Sequence, residues 1–337
     1  MKTHLRKAAA AAFLLTLPLA GCAGTANQGA SQSASSAQDG PFRVGIEFTG
    51  AQNDGGYDEA LYNGLVAAKE SHGIEIQVAE NKTSLADQTA AVSTLAQNND
   101  LVVVVSFIGD AAKQIAQQYP NVQFFVVDGE LDPAIPNLHS FRINQGEAAY
   151  VAGVVSADLT ESNIVGFVGA SEIPATIGSS EGFRLGIHSV APDVDVLETY
   201  TGSFVDTTAA REAVTAQISQ GADVIYTFLD SATDGAISAA AAAADRNVKI
   251  FNITRLRCDD GPFVAGADII SPTDFLSNLI AEAIDGKYPE GKPEVGLSNP
   301  DDQRLQMCPA FEQHQAKADE VTKGIVDGTV ELPDSVI

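Results

Sequence analysis

Histidine is scarce in this chain, with residues at 4, 72, 139, 188 and 314, and no two stand i, i+4 apart. That spacing is what lets one helix offer two imidazoles to a zinc ion, so metal catalysis has no visible support and no cofactor is expected. Cysteine numbers three, and beyond residue 22 only Cys258 and Cys308 remain. No histidine is near either one, which disfavours a zinc site; in an oxidising exterior an even pair reads as a disulfide. Cations are few as well, 19 Lys and Arg against 44 Asp and Glu, for a net charge of −25. Such a field repels phosphate backbones and anionic membrane surfaces, which excludes nucleic acid as a partner. Most of these carboxylates read as a solvated surface. A phosphate cradle is missing too. Gly50 and Gly55 have Walker A spacing, but Gly56 and Tyr57 stand where Lys and then Ser or Thr are required, and no G-x-G-x-x-G occurs there. No tandem repeat of about 20–50 residues is present.

What the chain does have begins with its address. Lys2, Arg6 and Lys7 form a basic start, Ala8 to Leu19 an apolar stretch too short to span a bilayer as a lasting helix, and Leu19-Ala20-Gly21-Cys22 follows. This resembles a bacterial lipobox, in which residues 1–21 are a signal peptide and Cys22 becomes the lipidated N-terminus on the outer face of the cell membrane. Losing those three cations takes the net charge to −28. Residues 22–41 are small and polar and read as a flexible tether, with an r.m.s. reach of about 5–6 Å times the square root of its length.

From residue 42 the composition is globular. Phe42, Val44, Ile46 and Phe48 alternate as a strand does, and Leu61, Gly64, Leu65 and Ala68 recur at helical spacing. Between them "TGAQNDGG" makes a polar, glycine-rich turn at a strand's C-terminal end, which is where open α/β sheets bind ligands. Near-continuous apolar runs at 101–106, 122–127, 164–169, 223–228 and 248–253 fit strands buried on both faces of a parallel sheet. Helical candidates lie at 84–97, 110–118, 147–160, 180–190, 207–220 and 232–245. Strand alternating with helix predicts βαβ units in a doubly wound α/β fold. The rhythm pauses near Phe141 to Gln145, which marks a hinge, and breaks again at "NITRLRCDDGPF" and "GKYPEGKPEVGLSNPDDQ". The expected division is a first lobe at 42–143 completed by 258–290 and a second at 144–257 completed by 291–337.

One hydrolase pattern occurs. Gly178 to Gly182 fits G-x-S-x-G around Ser180, but the preceding strand ends near Gly169, so the strand-to-helix elbow that exposes such a serine is absent. His188 and His314 are the nominal bases, and nothing in the sequence places either beside it. The pairs Asp259-Asp260 and Asp301-Asp302 sit near Gly or Pro and read as turn residues.

Several stretches in order resemble one family: "YDEALYNGL", "VVSFIGDAA", "FFVVDGELD", "NLHSFRINQGEAAYVAGVVSADLT", "VGFVGASEIP", "EGFRLG", "GSFVDTTAAREAV", "GADVIYTF" and "TDGAISAA". Together they resemble the basic membrane protein family of substrate-binding lipoproteins, whose members include purine nucleoside receptors of ABC transporters. The resemblance implies a type I periplasmic-binding-protein fold of two parallel-sheet lobes, a small ligand clasped between them, and no enzymatic activity. It also implies delivery to an ABC permease with its ATPase, by a protein expected to be a monomer. Asp54, Tyr57 and Asp58 match the family's Asp-bearing loop with its aromatic residue, and Ser106 and Phe107 end the next strand at the same edge. Phe228, Asp230 and Thr233 fall where the family places an aromatic lid and a polar loop. Tyr57 and Phe107 read as ligand-stacking rings or as core, and Asp128 as a strand-end ligand or a turn residue; Glu172 and Phe183 are weaker entries to the site.

Nucleoside-binding members show Gly-Val-Asp at the strand end corresponding to "KIFNITRLR". Here Thr254 and Arg255 stand there, with Arg257 following. A lysine usual in a later segment is absent, and "GADIISPTDFLSN" offers Ser271, Thr273 and Asp274 instead. A guanidinium in place of an acceptor turns preference toward a ligand bearing a carboxylate or another acceptor, unless Arg255 forms an interlobe salt bridge. A sensory co-receptor is a further reading, since it uses the same closure, and a secreted hydrolase is the remote one.

Overall fold

The computed structural model describes residues 40–105, 108–127, 129, 132, 134–333 and 335–336. Cys22, Ser106, Phe107 and Asp128 therefore lie outside the described residues. The chain opens with β1 (Arg43–Glu47), α1 (Tyr57–His72), β2 (Glu75–Ala79), α2 (Leu85–Ala96), β3 (Leu101–Val104), α3 (Asp110–Gln118), β4 (Gln123–Val127) and β5 (Leu138–Ile143). It continues with α4 (Gln145–Leu159), β6 (Ile164–Gly169), α5 (Pro174–Val190), β7 (Asp195–Tyr200), α6 (Thr207–Ser219), β8 (Val224–Phe228), α7 (Thr233–Ala242), β9 (Lys249–Thr254) and β10 (Val264–Ile270). It ends with α8 (Thr273–Ile284), β11 (Glu294–Val295), β12 (Gln303–Met307) and α9 (Gln315–Val326).

Two six-stranded sheets result, ordered β11-β5-β4-β3-β1-β2 and β12-β10-β9-β8-β6-β7. Every pairing is parallel except β10 with β12. Each sheet is doubly wound. Its central strands are buried on both faces, as Leu101 to Val104 of β3 are, and this explains their unbroken apolarity. Helices cover both faces, so each sheet has a core on either side; α1 and α8, for example, enclose Leu61, Leu65, Leu276 and Ile280 against Val44 and Ile46.

The expected division fails at two strands, β10 and β11. It gives residues 258–290 as a block to the first lobe, but β10 pairs with β9 and β12 in the second sheet, and only α8 packs on the first. The reason is burial: β10 is covered on both faces, which a central strand between two partners requires. The following stretch divides the other way, with β11 beside β5 in the first sheet and β12 in the second. The chain thus passes between the sheets three times, at Asn144, between β10 and α8, and between β11 and β12.

Helix α5 starts at Pro174, earlier than its apolar spacing indicates, because proline at the first helical position needs no backbone N–H. Its contact with α4 is backbone to backbone. A Cβ on Gly153, Gly182 or Gly186 would come within 2.2 Å of a carbonyl oxygen of the facing helix, so only glycine permits this approach. Cys258 and Cys308 form a disulfide with their Cα atoms 5.5 Å apart, tying the loop after β9 to the end of β12.

Candidate functional site

In both sheets the strand order reverses beside the first strand, β1 in one and β6 in the other. Loops leaving β1 and β3 therefore diverge, as do those leaving β6 and β8, and each divergence opens a crevice at the strands' C-terminal ends. A cavity of about 300 Å³ lies between these two edges. The first lobe supplies Thr49, Gly50, Tyr57 and Asp58, joined by Thr83 from the connection into α2 and Gln88 from the first turn of α2. The second supplies Ser171, Ile173, Phe204, Val205, Phe228 and Asp230, and Gln145 completes the lining where the chain crosses. Phe204 and Phe228 meet edge to face, centroids 6.4 Å apart.

The loop 49–56 is held by its own carboxylates. Gly50 N–H donates to Asp58 Oδ2 at 2.8 Å, Gly56 N–H to Asp54 Oδ1 at 2.8 Å, and Gly55 N–H to Glu59 Oε2 at 2.9 Å. Asp54, Asp58 and Glu59 thus brace the turn against the start of α1, where negative charge also suits the helix dipole. Gly55 sits at φ +71°, a conformation open at little cost only to glycine, and the Arg255 guanidinium packs over it.

Here the lobes touch. Tyr57 N–H donates across to Asp230 Oδ1 at 3.0 Å, and Gly56 lies so close that a Cβ there would be 1.8 Å from the same oxygen. Asp54, Asp58 and Asp230 bring carboxyl oxygens within 4.8 Å of one another. Asp54 Oδ2 is buried in this group without a hydrogen-bond partner, so like-charged carboxyls meet there with little to offset their repulsion. Burial pushes the Asp58 carboxyl up to about 7, with Asp54 and Glu47 adding repulsion and the Gly50 N–H pulling it back. Burial and the neighbouring Asp54 and Asp58 carboxyls push Asp230 well above the usual carboxylate range.

Of the expected residues, Tyr57, Asp58, Phe228 and Asp230 come together around the main cavity. Thr254 and Arg255 do not. They border a separate space of about 40 Å³ together with Asp54, Asp230, Thr233 and Asn252. Arg255 makes no ion pair among the described residues, and Arg257 pairs with Asp234 at 2.7 Å. Phe183 is fully buried among Phe167 and Tyr226 and is core. Phe228, although it borders the cavity, is 2% exposed and belongs equally to the second lobe's core. Ser180 lies within α5 and donates to Glu198 Oε1 at 2.6 Å; His188 bonds the Val194 carbonyl and His314 bonds Asp158, so neither serves it as a base.

Sequence reasoning did not find Thr83, Gln88, Gln145 or Phe204. Phe204 had a usable signal: Asp206 caps α6, its Oδ1 accepting from Thr208 and Ala209 N–H at 2.9 and 3.0 Å, and this fixes "GSFV" as the strand-to-helix loop at the ligand edge. Gln88 and Gln145 sit in first helical turns and carry no such mark.

Two doubly wound lobes with a small cavity between their strand ends define a solute-binding protein of the type I periplasmic class. A solved ABC transporter solute-binding protein from Aeropyrum pernix K1 shares this fold with a TM-score of 0.75 at 19% identity, over 87% of this chain and 93% of its own. One from Conexibacter woesei DSM 14684 matches with a TM-score of 0.65 at 20% identity, over 87% and 99%. The chain belongs to the Bmp family, described as ABC transporter substrate-binding protein, PnrA-like, which matches residues 42–253. It is 28% identical over 216 residues to a purine-binding protein of Brucella abortus (strain 2308), 62% of this chain, and spans 59% of that relative's length. It is 24% identical over 259 residues to the ABC transporter nucleoside-binding protein BmpA of Lactococcus lactis subsp. cremoris (strain MG1363), 71% of this chain and 74% of that one. The family is one of substrate-binding proteins and not of enzymes.

Proposed function

We propose that this protein captures a purine nucleoside, or the free base, outside the cytoplasm and presents it to the permease of an ABC importer powered by a cytoplasmic ATPase. The observation that carries the reading is the lining of the cavity: aromatic rings from both lobes, carboxyls and amides, and no Lys, Arg or His among the described residues. Tyr57, Phe204 and Phe228 offer π faces to a flat heterocycle, while Asp58, Asp230 and the Gln88 and Gln145 amides offer partners to its polar edge. Gln145 Oε1 is buried with no hydrogen-bond partner, so a bound N–H or O–H satisfies it. The volume is at the low end of the ~300–1,000 Å³ usual for small-molecule sites, which suits a single nucleoside. A carboxylate-bearing ligand would face Asp58 and Asp230, and Arg255 borders the other space. With no cation in the lining among the described residues, these features favour a neutral ligand. The purine-binding and nucleoside-binding names of two relatives support the same class.

The test is a thermal-shift and calorimetric comparison of guanosine, adenine, ribose and a heterocyclic carboxylate. Native-state binding at 100 times Kd adds about 2.7 kcal/mol of stability, so guanosine or adenine raises Tm and ribose alone does not. Phe204→Ala is expected to cost about 1–3 kcal/mol of guanosine affinity by loss of stacking. A response to the carboxylate only, or full affinity in Phe204→Ala, overturns the reading. Membrane anchoring through lipidated Cys22 belongs to the same proposal. Cys22→Ala is expected to release the protein from the membrane fraction, and retention there refutes the anchor.

A further inference from the structure

The contact between Asp54 and Asp230 has a chemical requirement that the ligand site does not explain. Asp54 belongs to the first lobe and Asp230 to the second, 176 positions later, and the two carboxyls meet only because the lobes are together. Asp54 Oδ1 accepts from Gly56 and Glu59 N–H, and Asp230 Oδ1 accepts from Tyr57 N–H. Asp54 Oδ2 is buried and receives no donor from the chain. The two carboxyls come within 4.8 Å of each other, and ionised carboxylates accept and never donate, so as a charged pair they only repel; a proton on one removes the repulsion and gives the buried oxygen a donor.

We propose that closing the lobes captures one proton between Asp54 and Asp230, so that the grip on the ligand loosens as pH rises. The inference rests on the lobe closure of the reading above and not on the identity of its ligand.

The surrounding charges agree with that proton. Asp58 from α1 lies in the same cluster, with Glu47 of β1 adding to its repulsion, and Glu59 faces the Gly55 N–H. On the second lobe, Asp234 of α7 is paired with Arg257. Arg255 is the remaining cation; it is exposed, lies over Gly55, and makes no ion pair with any of the three aspartates among the described residues, so water screens its charge. Negative charge therefore dominates the contact. In the closed form Asp230 holds its proton well above the usual carboxylate range, and in an open form, away from Asp54 and hydrated, it returns to about 4. Closure takes up a proton wherever the ambient pH lies between those limits. Opening releases it.

The sign follows. Because the closed state binds more protons, closure is favoured at low pH, and affinity falls by up to tenfold per pH unit for one coupled proton. Asp54→Asn replaces the shared proton by an amide N–H that donates to Asp230 at any pH. Small-angle X-ray scattering of the ligand-free protein from about pH 5 to 8.5 reads closure with no ligand present. The expected result is a radius of gyration that grows with pH in the wild type and stays at the closed value in Asp54→Asn. Asp230→Asn, which supplies the amide from the other side, is expected to behave as Asp54→Asn does and guards against a folding defect in one variant. Wild type and both variants with superimposable pH profiles overturn the proposal. Guanosine calorimetry over the same range adds the second readout: a dissociation constant that climbs with pH in the wild type and is flatter in Asp54→Asn. A failure of guanosine to bind at any pH counts against the nucleoside reading alone, since the scattering experiment does not use it.

Discussion

Replacing Gly56 by alanine isolates the interlobe contact from everything else in the site. The residue precedes α1 at φ −124° and ψ −142°, outside the left-handed region. Its Cβ would stand 1.8 Å from Asp230 Oδ1, whereas non-bonded heavy atoms settle near ~3.5 Å. The second lobe must therefore withdraw by about 1.5 Å or more at this point. That displacement breaks the 3.0 Å bond from Tyr57 N–H to Asp230. A hydrogen bond between uncharged groups contributes about 0.5–1.5 kcal/mol, which corresponds to roughly a 2- to 13-fold loss of affinity. Only the closed state suffers, so the ligand-free melting temperature is expected to stay close to that of the wild type. Calorimetric titration with guanosine, paired with thermal melts of the free protein, separates the two quantities. Unchanged affinity in Gly56→Ala would show that the lobes need not meet at Asp230 to hold a ligand, and the closure argument would fall.

Two further outcomes concern the scaffold. Cys258 and Cys308 are separated by 50 positions, for which loop-closure entropy gives about 4 kcal/mol, so reductant should lower Tm by many degrees and the Cys258→Ser/Cys308→Ser double variant should match the reduced protein; an unmoved melt refutes a stabilising bridge. Asp268 is wholly buried, bonded by Gln303, and burial pushes its carboxyl up to about 7. The folded chain thus keeps a proton that the unfolded chain releases above about 4, and stability is lost as pH climbs from there toward 7. Asp268→Asn should flatten that part of the denaturant-midpoint profile relative to the wild type, and parallel profiles would contradict the assignment.

Much of the fold was legible because central strands and helix faces write their burial into the sequence. Runs such as 164–169 and 223–228 correspond to β6 and β8, and 110–118 to α3. Edge strands did not announce themselves: β2 and β7 are half exposed, "EIQVA" and "DVLETY", and their polar residues dilute the pattern. The division of 258–290 failed because a strand's hydrophobicity says that it is central without saying to which sheet. For the site, it was the family resemblance that pointed to Tyr57, Asp58 and Asp230, which line the cavity, while Gln88 and Gln145 are ordinary helix-start glutamines until the fold places them. The guanidinium of Arg255 looked like a ligand group in one dimension. In three, the Gly55 backbone lies beneath it and the cavity is on the other side of Asp230.

The three passes of the chain between the sheets bear on how such a molecule signals. A single linker would let one lobe swing, twist and slide; three strung side by side suppress twist and slide and leave one soft coordinate, the opening angle. Along that coordinate a bound molecule acts as a spacer whose thickness sets where the motion stops. Occupancy is thereby translated into the distance between two outer surfaces, and a partner that grips both surfaces can sort full from empty without ever meeting the cargo.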